Sequence, residues 1–152
     1  MRAVVQRVLK SRLSIDGEVY SEINKGFMVL LGVTHNDAIQ DAKVLAEKIS
    51  KLRVFRDEND KMNLSILDVG GEIQAVSQFT LYADCHKGNR PSFTDAALPE
   101  VADNLYQVFV DELKKTGISK VVTGVFGADM KIDFINDGPV TIILECKDGK
   151  IL

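Results

Sequence analysis

The stretch from Arg2 to Val33, RAVVQRVLKSRLSIDGEVYSEINKGFMVLLGV, decides the fold. Residues 2–9 are rich in valine, Leu13 and Ile15 continue the run, and Asp16-Gly17 is the dipeptide a two-residue hairpin prefers, because its turn needs positive φ. A return strand over 18–23 is therefore expected. Asn24-Lys25-Gly26 then turns the chain into Phe27–Val33, a continuous apolar run that suits a central strand covered on both faces.

Beyond this sheet nucleus, Asn36 or Asp37 is a candidate cap for a first helix, in which Ile39, Ala42, Leu45, Ala46, Ile49 and Leu52 recur at helical spacing. A weaker stretch follows around Met62–Leu67, and Gly70-Gly71 punctuates the start of a strand over 72–81. A second helix is expected from Pro99, with Val101, Leu105, Val108 and Phe109 as its stripe and Thr116-Gly117 as its end. Three more strands read as Val121–Phe126, Met130–Ile135 and Val140–Cys146. Short connections imply mainly antiparallel pairing, so the expected architecture is an α+β domain spanning 1–152: a curved, barrel-like, mainly antiparallel sheet with two packed helices.

Composition narrows the function classes. The chain of 152 residues is 45% hydrophobic, enough for one core without disulfides or metals as staples. It has no apolar run near the roughly 20 residues needed to cross a bilayer, and Arg2 and Arg7 occupy the place of a signal-peptide core. A soluble, cytoplasmic protein without a membrane partner is expected. Cys85 and Cys146 lack any CxxC spacing and read as free thiols, with the adjacency of Cys85 to His86 the one to check for activation. A net charge of −3 argues against a broad basic surface for long nucleic acid, and DNA is not an expected partner. Local basic clusters remain: Arg2, Arg7, Lys10 and Arg12 without an intervening acid, and His86, Lys87 and Arg90. Each is a solvated charged face or a phosphate contact.

Two short segments carry chemistry. Ser77-Gln78-Phe79-Thr80-Leu81 sets two hydroxyls, an amide and an aromatic ring where a strand yields to a loop. In a regular strand Ser77 and Thr80 point to opposite faces, so they share a site only if the strand bends. A nucleophilic hydroxyl needs a base, and neither His35 nor His86 sits in a recognisable triad; GxSxG, HExxH and GxxxxGK[ST] are all absent. A hydrolase built on this segment would use backbone donors aimed at a developing oxyanion. No metal site and no cofactor are expected. Asn136-Asp137-Gly138-Pro139-Val140-Thr141 holds the only Gly-Pro step. Proline at a strand start is a structural commonplace, while a cis bond there would bring successive carbonyls into a corner able to accept bonds from an ammonium group.

Taken together, SQFTL at 77–81 and GPVT at 138–141 resemble the D-aminoacyl-tRNA deacylase (D-tyrosyl-tRNA deacylase) family. Residues 1–8, Leu52–Asp57, Lys61–Ser65, Arg90–Phe93 and Gly124–Met130 are similar to it as well, so the resemblance spans essentially the whole chain. It implies a homodimeric hydrolase that cleaves the ester joining a D-amino acid to the terminal ribose of tRNA, with Ser77, Gln78, Phe79 and Thr80 at the reaction centre. Gly138-Pro139 would be a cis dipeptide reaching into the partner subunit's site, where its carbonyls take the α-ammonium and leave no room for an L side chain. Glycine, with nothing to exclude, would then be accepted. Lacking a base, the site is expected to hold the carbonyl oxygen on main-chain amides near Phe79 and Thr80 while water attacks with help from the neighbouring ribose hydroxyl. Arg7, Lys87 and Arg90 are the candidate contacts to the aminoacylated 3′ end of tRNA. The rival readings are a small-molecule esterase or thioesterase, which needs no basic surface, and a non-catalytic RNA-binding module, for which the Gly-Pro corner would be incidental.

Overall fold

A computed structural model describes all 152 residues. The first strand, β1 (Arg2–Ile15), is the spine of the molecule. Its second half pairs antiparallel with β2 (Glu18–Ile23) and its first half with β3 (Gly26–Gly32), while β8 (Lys131–Lys147) runs along its other edge from Arg2 to Ser14. The hairpin turn is as expected, with φ of 51° at Asp16 and 79° at Gly17. β3 is central and almost wholly buried, as its continuous apolar run requires.

The sheet is mixed. β6 (Glu72–Ser77) lies parallel to β3, and β7 (Lys120–Thr123) parallel to β6, giving the order β7-β6-β3-β1-β8 with a short β9 (Lys150–Ile151) beyond it. Pairing is mainly antiparallel, as expected, and the two parallel pairs arise here because the chain reaches β6 and β7 by way of its helices, the crossover that parallel pairing demands. α1 (Ile39–Ser50) and α2 (Pro99–Lys115) pack on each other and on one face of the sheet, and a two-stranded ribbon of β4 (Phe55–Arg56) and β5 (Met62–Leu64) follows α1. The core between helices and sheet is built from Phe27, Leu31, Leu45, Ile49, Phe55, Ile73, Phe109 and Leu113, none more than 1% exposed.

Several details differ from the sequence expectation, among them the strand expected over Val121–Phe126, which ends at Thr123. The first helix is capped differently: Asn36 takes a φ of 67°, Asp37 accepts the Thr34 amide, and Asp41 reaches back to the Ala38 amide at 2.8 Å. Ile39 and Val101, expected in the two apolar stripes, are instead about half exposed at 53% and 48%. The strand expected over 72–81 stops at Ser77, and a 3₁₀ turn takes over from Phe79 to Tyr82. The two strands expected either side of Asn136–Pro139 are one strand, β8, with that segment bulged out of it. β1 is long enough to pair with both halves, and its register against β8 shifts between Gln6 and Lys10 to absorb the extra residues.

The C-terminal end of β8 is tied to α1 through Asp41, whose carboxylate takes the Gly149 amide at 2.8 Å and the Cys146 thiol at 3.5 Å. Burial, then this carboxylate, pushes the Cys146 thiol from 9.0 up to about 11. The fold therefore favours the protonated thiol, a contribution complete below about pH 9 and lost as pH rises toward 11. Urea midpoints measured across that interval should fall more steeply for the native protein than for Cys146→Ala; equal slopes would remove Cys146 from the account.

Candidate active site

β6 loses its neighbours one side at a time. Its rungs with β7 end at Ala75–Thr123, and the Ala75 carbonyl turns to the Tyr106 hydroxyl of α2, which donates to it at 2.7 Å. Burial pushes that phenol up to about 12, so it stays a donor across the neutral range. On the other side the last bond is from the Gln78 N–H to the Leu31 carbonyl, at 2.8 Å. The chain then bends into the 3₁₀ turn, whose first bonds run from Leu81 N–H to the Gln78 carbonyl and from Ala83 N–H to the Thr80 carbonyl. The amides of Phe79 and Thr80 precede those bonds and have no acceptor within the turn.

Where β6 and β7 part, a cleft of about 680 Å³ opens. Val76, Ser77, Gln78 and Phe79 form one wall, Phe93 and Ala96–Pro99 a second, and Phe126–Met130 with Ile132 a third. Most of this lining is apolar. The Phe79 and Phe93 rings meet edge to face at 5.1 Å, and Phe79 is 54% exposed at the mouth. Thr80 is exposed beside it; its hydroxyl accepts a bond from the Gln78 side-chain amide at 2.7 Å. Neither histidine touches Ser77 or Thr80. His35 is engaged with the Thr94 carbonyl at 2.7 Å, and the His86 ring with Asp84, so Cys85 is exposed with no imidazole partner. No three metal-ligating side chains converge anywhere in the chain.

The bend thus sets Ser77, Gln78 and Phe79 in the cleft wall, while Thr80 is exposed beside Phe79, bonded to Gln78 and outside the lining. Gly138 and Pro139 lie elsewhere. The peptide bond between them is cis, both residues are exposed, and neither lines this cleft. Asn136 closes the corner by accepting the Val140 amide at 2.7 Å, and Gly138 has a φ of 144°. A Cβ on Gly138 would stand 2.7 Å from Val140 Cγ2 and 2.9 Å from the Val140 nitrogen, so only glycine fits without a shift.

Arg7, expected among the RNA contacts, requires correction. It is 2% exposed, its Nε donates to the Asp137 carbonyl at 2.9 Å, and its Nη1 donates to the Val54 carbonyl at 2.5 Å. The Asp137 carboxylate is 3.4 Å from Nε. This guanidinium holds the Gly-Pro corner from beneath and has no face left for a phosphate. The signal was in the sequence: Ala3, Val5 and Arg7 share the inward side of β1 by strand alternation. Lys87 and Arg90 are exposed, on a loop closed by paired bonds between Asp84 and Ser92 that leads directly from the 3₁₀ turn to Phe93.

A model of the D-Tyr-tRNA(Tyr) deacylase family matches residues 4–145. D-aminoacyl-tRNA deacylase of Clostridioides difficile is 56% identical over 145 residues, 95% of this chain and 97% of that protein. The protein of the same name from Fusobacterium nucleatum subsp. nucleatum is 54% identical over 151 residues, 99% of each chain. Among solved structures, one described as c-Myc DNA Unwinding Element Binding Protein superposes with a TM-score of 0.91 at 42% identity, covering 97% of this chain and 99% of that one. Another, described as a probable eukaryotic D-amino acid tRNA deacylase, gives 0.79 at 17% identity over 93% and 97%, a likeness of fold alone. The class is that of hydrolases acting on the ester bond of aminoacyl-tRNA. Within it, the chain belongs to the D-Tyr-tRNA(Tyr) deacylase family.

Arg7→Met keeps the bulk and removes the donors, leaving two carbonyls without partners at about 1–3 kcal/mol each. Lys87→Ala, at an exposed position, should change stability by less than about 0.5 kcal/mol. Chemical denaturation of the two variants distinguishes a buried clamp from a surface charge; equal, small losses would return Arg7 to the surface role.

Proposed function

We propose that this chain hydrolyses D-aminoacyl-tRNA, releasing a free D-amino acid and tRNA, and that it distinguishes handedness by exclusion. The observation that carries this reading is the turn at Phe79–Tyr82: a cleft rim offering backbone amides and hydroxyls, without a histidine beside them. The Phe79 and Thr80 amides take the ester carbonyl oxygen as it gains charge. Water attacks the carbonyl carbon, the neighbouring ribose hydroxyl assists the proton's passage, and the bond to the esterified ribose oxygen breaks as that oxygen takes the proton. Thr80 is a positioning group in this scheme. Its oxygen accepts from Gln78 and has no base to receive its own proton, which supports a role other than nucleophile.

The handedness filter is assigned to Gly138-Pro139 of a second copy. The corner is exposed and braced yet absent from its own cleft, which supports a homodimer in which each cleft is completed from across the interface. The Gly138 and Pro139 carbonyls receive the α-ammonium, and the backbone occupies the volume an L side chain would need. Glycine escapes the filter. Lys87 and Arg90 are assigned to phosphates near the 3′ end, contacts that read no base and so serve tRNAs of many identities. No helix of the chain is long and apolar enough to cross a membrane, and the substrate implies work in the cytoplasm.

Purified protein incubated with matched D- and L-aminoacyl-tRNA and glycyl-tRNA should release D-amino acid and glycine and spare the L-ester. Equal, negligible turnover of glycyl- and L-alanyl-tRNA would sink the exclusion mechanism. Comparable turnover of a minimal D-aminoacyl ester lacking RNA would favour the small-molecule esterase, and tRNA binding without hydrolysis the binding module. Thr80→Val, which keeps the amide and removes the hydroxyl, should retain most turnover; an acyl group trapped on Thr80 of the native protein would overturn the water mechanism.

A further inference from the structure

The proposed reactive turn is only four residues long, and bonds within its own backbone do not fix its position on the sheet. One side chain and the packing beneath it do. Arg2 Nη1 donates to the Leu81 carbonyl at 2.6 Å, and the guanidinium lies over the Tyr82 ring with its carbon 5.0 Å from the centroid. On its other side the same group is held by Glu145, with Nε at 2.6 Å and Nη2 at 2.5 Å from one carboxylate oxygen. Gly32, Arg2 and Glu145 are register partners across β3, β1 and β8, so they form one rung of the sheet. The turn rests on that rung. A Cβ on Gly32 would come within 3.0 Å of Leu81 Cβ and 3.1 Å of the Tyr82 ring. The turn is therefore pinned from three directions: packing against Gly32, a hydrogen bond at Leu81, and the cation above Tyr82.

We propose that Arg2 is a positioning residue for the hydrolysis, acting through Leu81 and Tyr82 to set where the Phe79 and Thr80 amides point. The inference rests on the function proposed above. It also separates Arg2 from the basic N-terminal cluster considered as an RNA contact: its donors face Leu81 and Glu145, so its role is geometric. Lysine preserves the charge and loses the planar fork that serves both partners at once.

The test compares native protein, Arg2→Lys and Gly32→Ala on D-aminoacyl-tRNA, after circular dichroism and thermal melting establish that each is folded. Arg2→Lys should lower kcat by about ten- to a hundredfold with KM within about twofold, since small misplacements of reacting groups cost that much. The salt dependence of KM should match that of the native protein. Gly32→Ala, which displaces the turn without touching a charge, should lower kcat in the same way, and it carries the test if Arg2→Lys does not fold. An unchanged kcat in either folded variant, or a raised KM with a shallower salt slope in Arg2→Lys, would overturn the proposal and return Arg2 to phosphate binding or simple scaffolding. Inactivity of the native protein would instead count against the function itself, so the two failures are distinguishable.

Discussion

The hydrogen bond from Gln78 N–H to the Leu31 carbonyl is the last that β6 makes to its parallel neighbour, and the site depends on its being the last. Had β6 continued to residue 81 in register, Phe79 and Thr80 would lie in the strand, their side chains would alternate across the sheet, and β6 and β7 would stay closed. Instead β7 departs after Thr123, β6 ends at Ser77, and the space between them becomes the apolar cleft. Both strand ends are stabilised locally: the Tyr106 hydroxyl satisfies the Ala75 carbonyl, and the 3₁₀ turn satisfies the Gln78 and Thr80 carbonyls. Buried polar backbone left without partners would cost enough to close such an opening. At the opening the Ala75, Gln78 and Thr80 carbonyls have all found donors.

Two arginines of β1 brace the 3₁₀ turn and the Gly-Pro corner from opposite faces of the strand. Arg7 faces inward and fastens the Asp137 carbonyl beneath the Gly-Pro corner, while Arg2 lies at the outer rung under the turn. Their carbonyl acceptors belong to segments distant in sequence, and β1 is the strand that touches both. This explains why a chain with net charge −3 commits these cations to the backbone. For RNA, the proposed function then relies on the exposed Lys87 and Arg90, on the loop that runs directly on from the turn.

Much of this is legible in the sequence. The Asp16-Gly17 hairpin, the buried run from Phe27, and the helix from Pro99 to the Thr116-Gly117 end follow from local rules, and the structure has all three. The failures are non-local. Parallel pairing of β6 and β7 is decided by where α1 and α2 deliver the chain, which no window of residues records. The end of β6 at Ser77 depends on neighbours departing, since Ser77–Leu81 itself reads as acceptable strand. The continuity of β8 through Gly138-Pro139 was hidden because Asn-Asp-Gly-Pro is turn chemistry; only a partner strand as long as β1 makes it a bulge. Arg7 reads by residue type as a phosphate contact, although its position in the alternation marks it as inward.

The central claim is that the cleft and the corner that filters its substrate belong to different copies of the chain. Subunit mixing tests it most directly. Phe79→Pro deletes one amide of the turn; the preceding residue, Gln78, already has an extended φ of −144°, and its ψ of 88° must open by about 30° to suit a following proline. Gly138→Val destroys the corner and leaves the cleft untouched. Neither variant alone should hydrolyse D-aminoacyl-tRNA. Co-refolded dimers carrying one of each contain one intact cleft facing one intact corner, and should recover about half the activity of the native dimer. If the mixed dimers are formed and remain as inactive as their parents, the cleft and its corner act within one chain and the account is wrong.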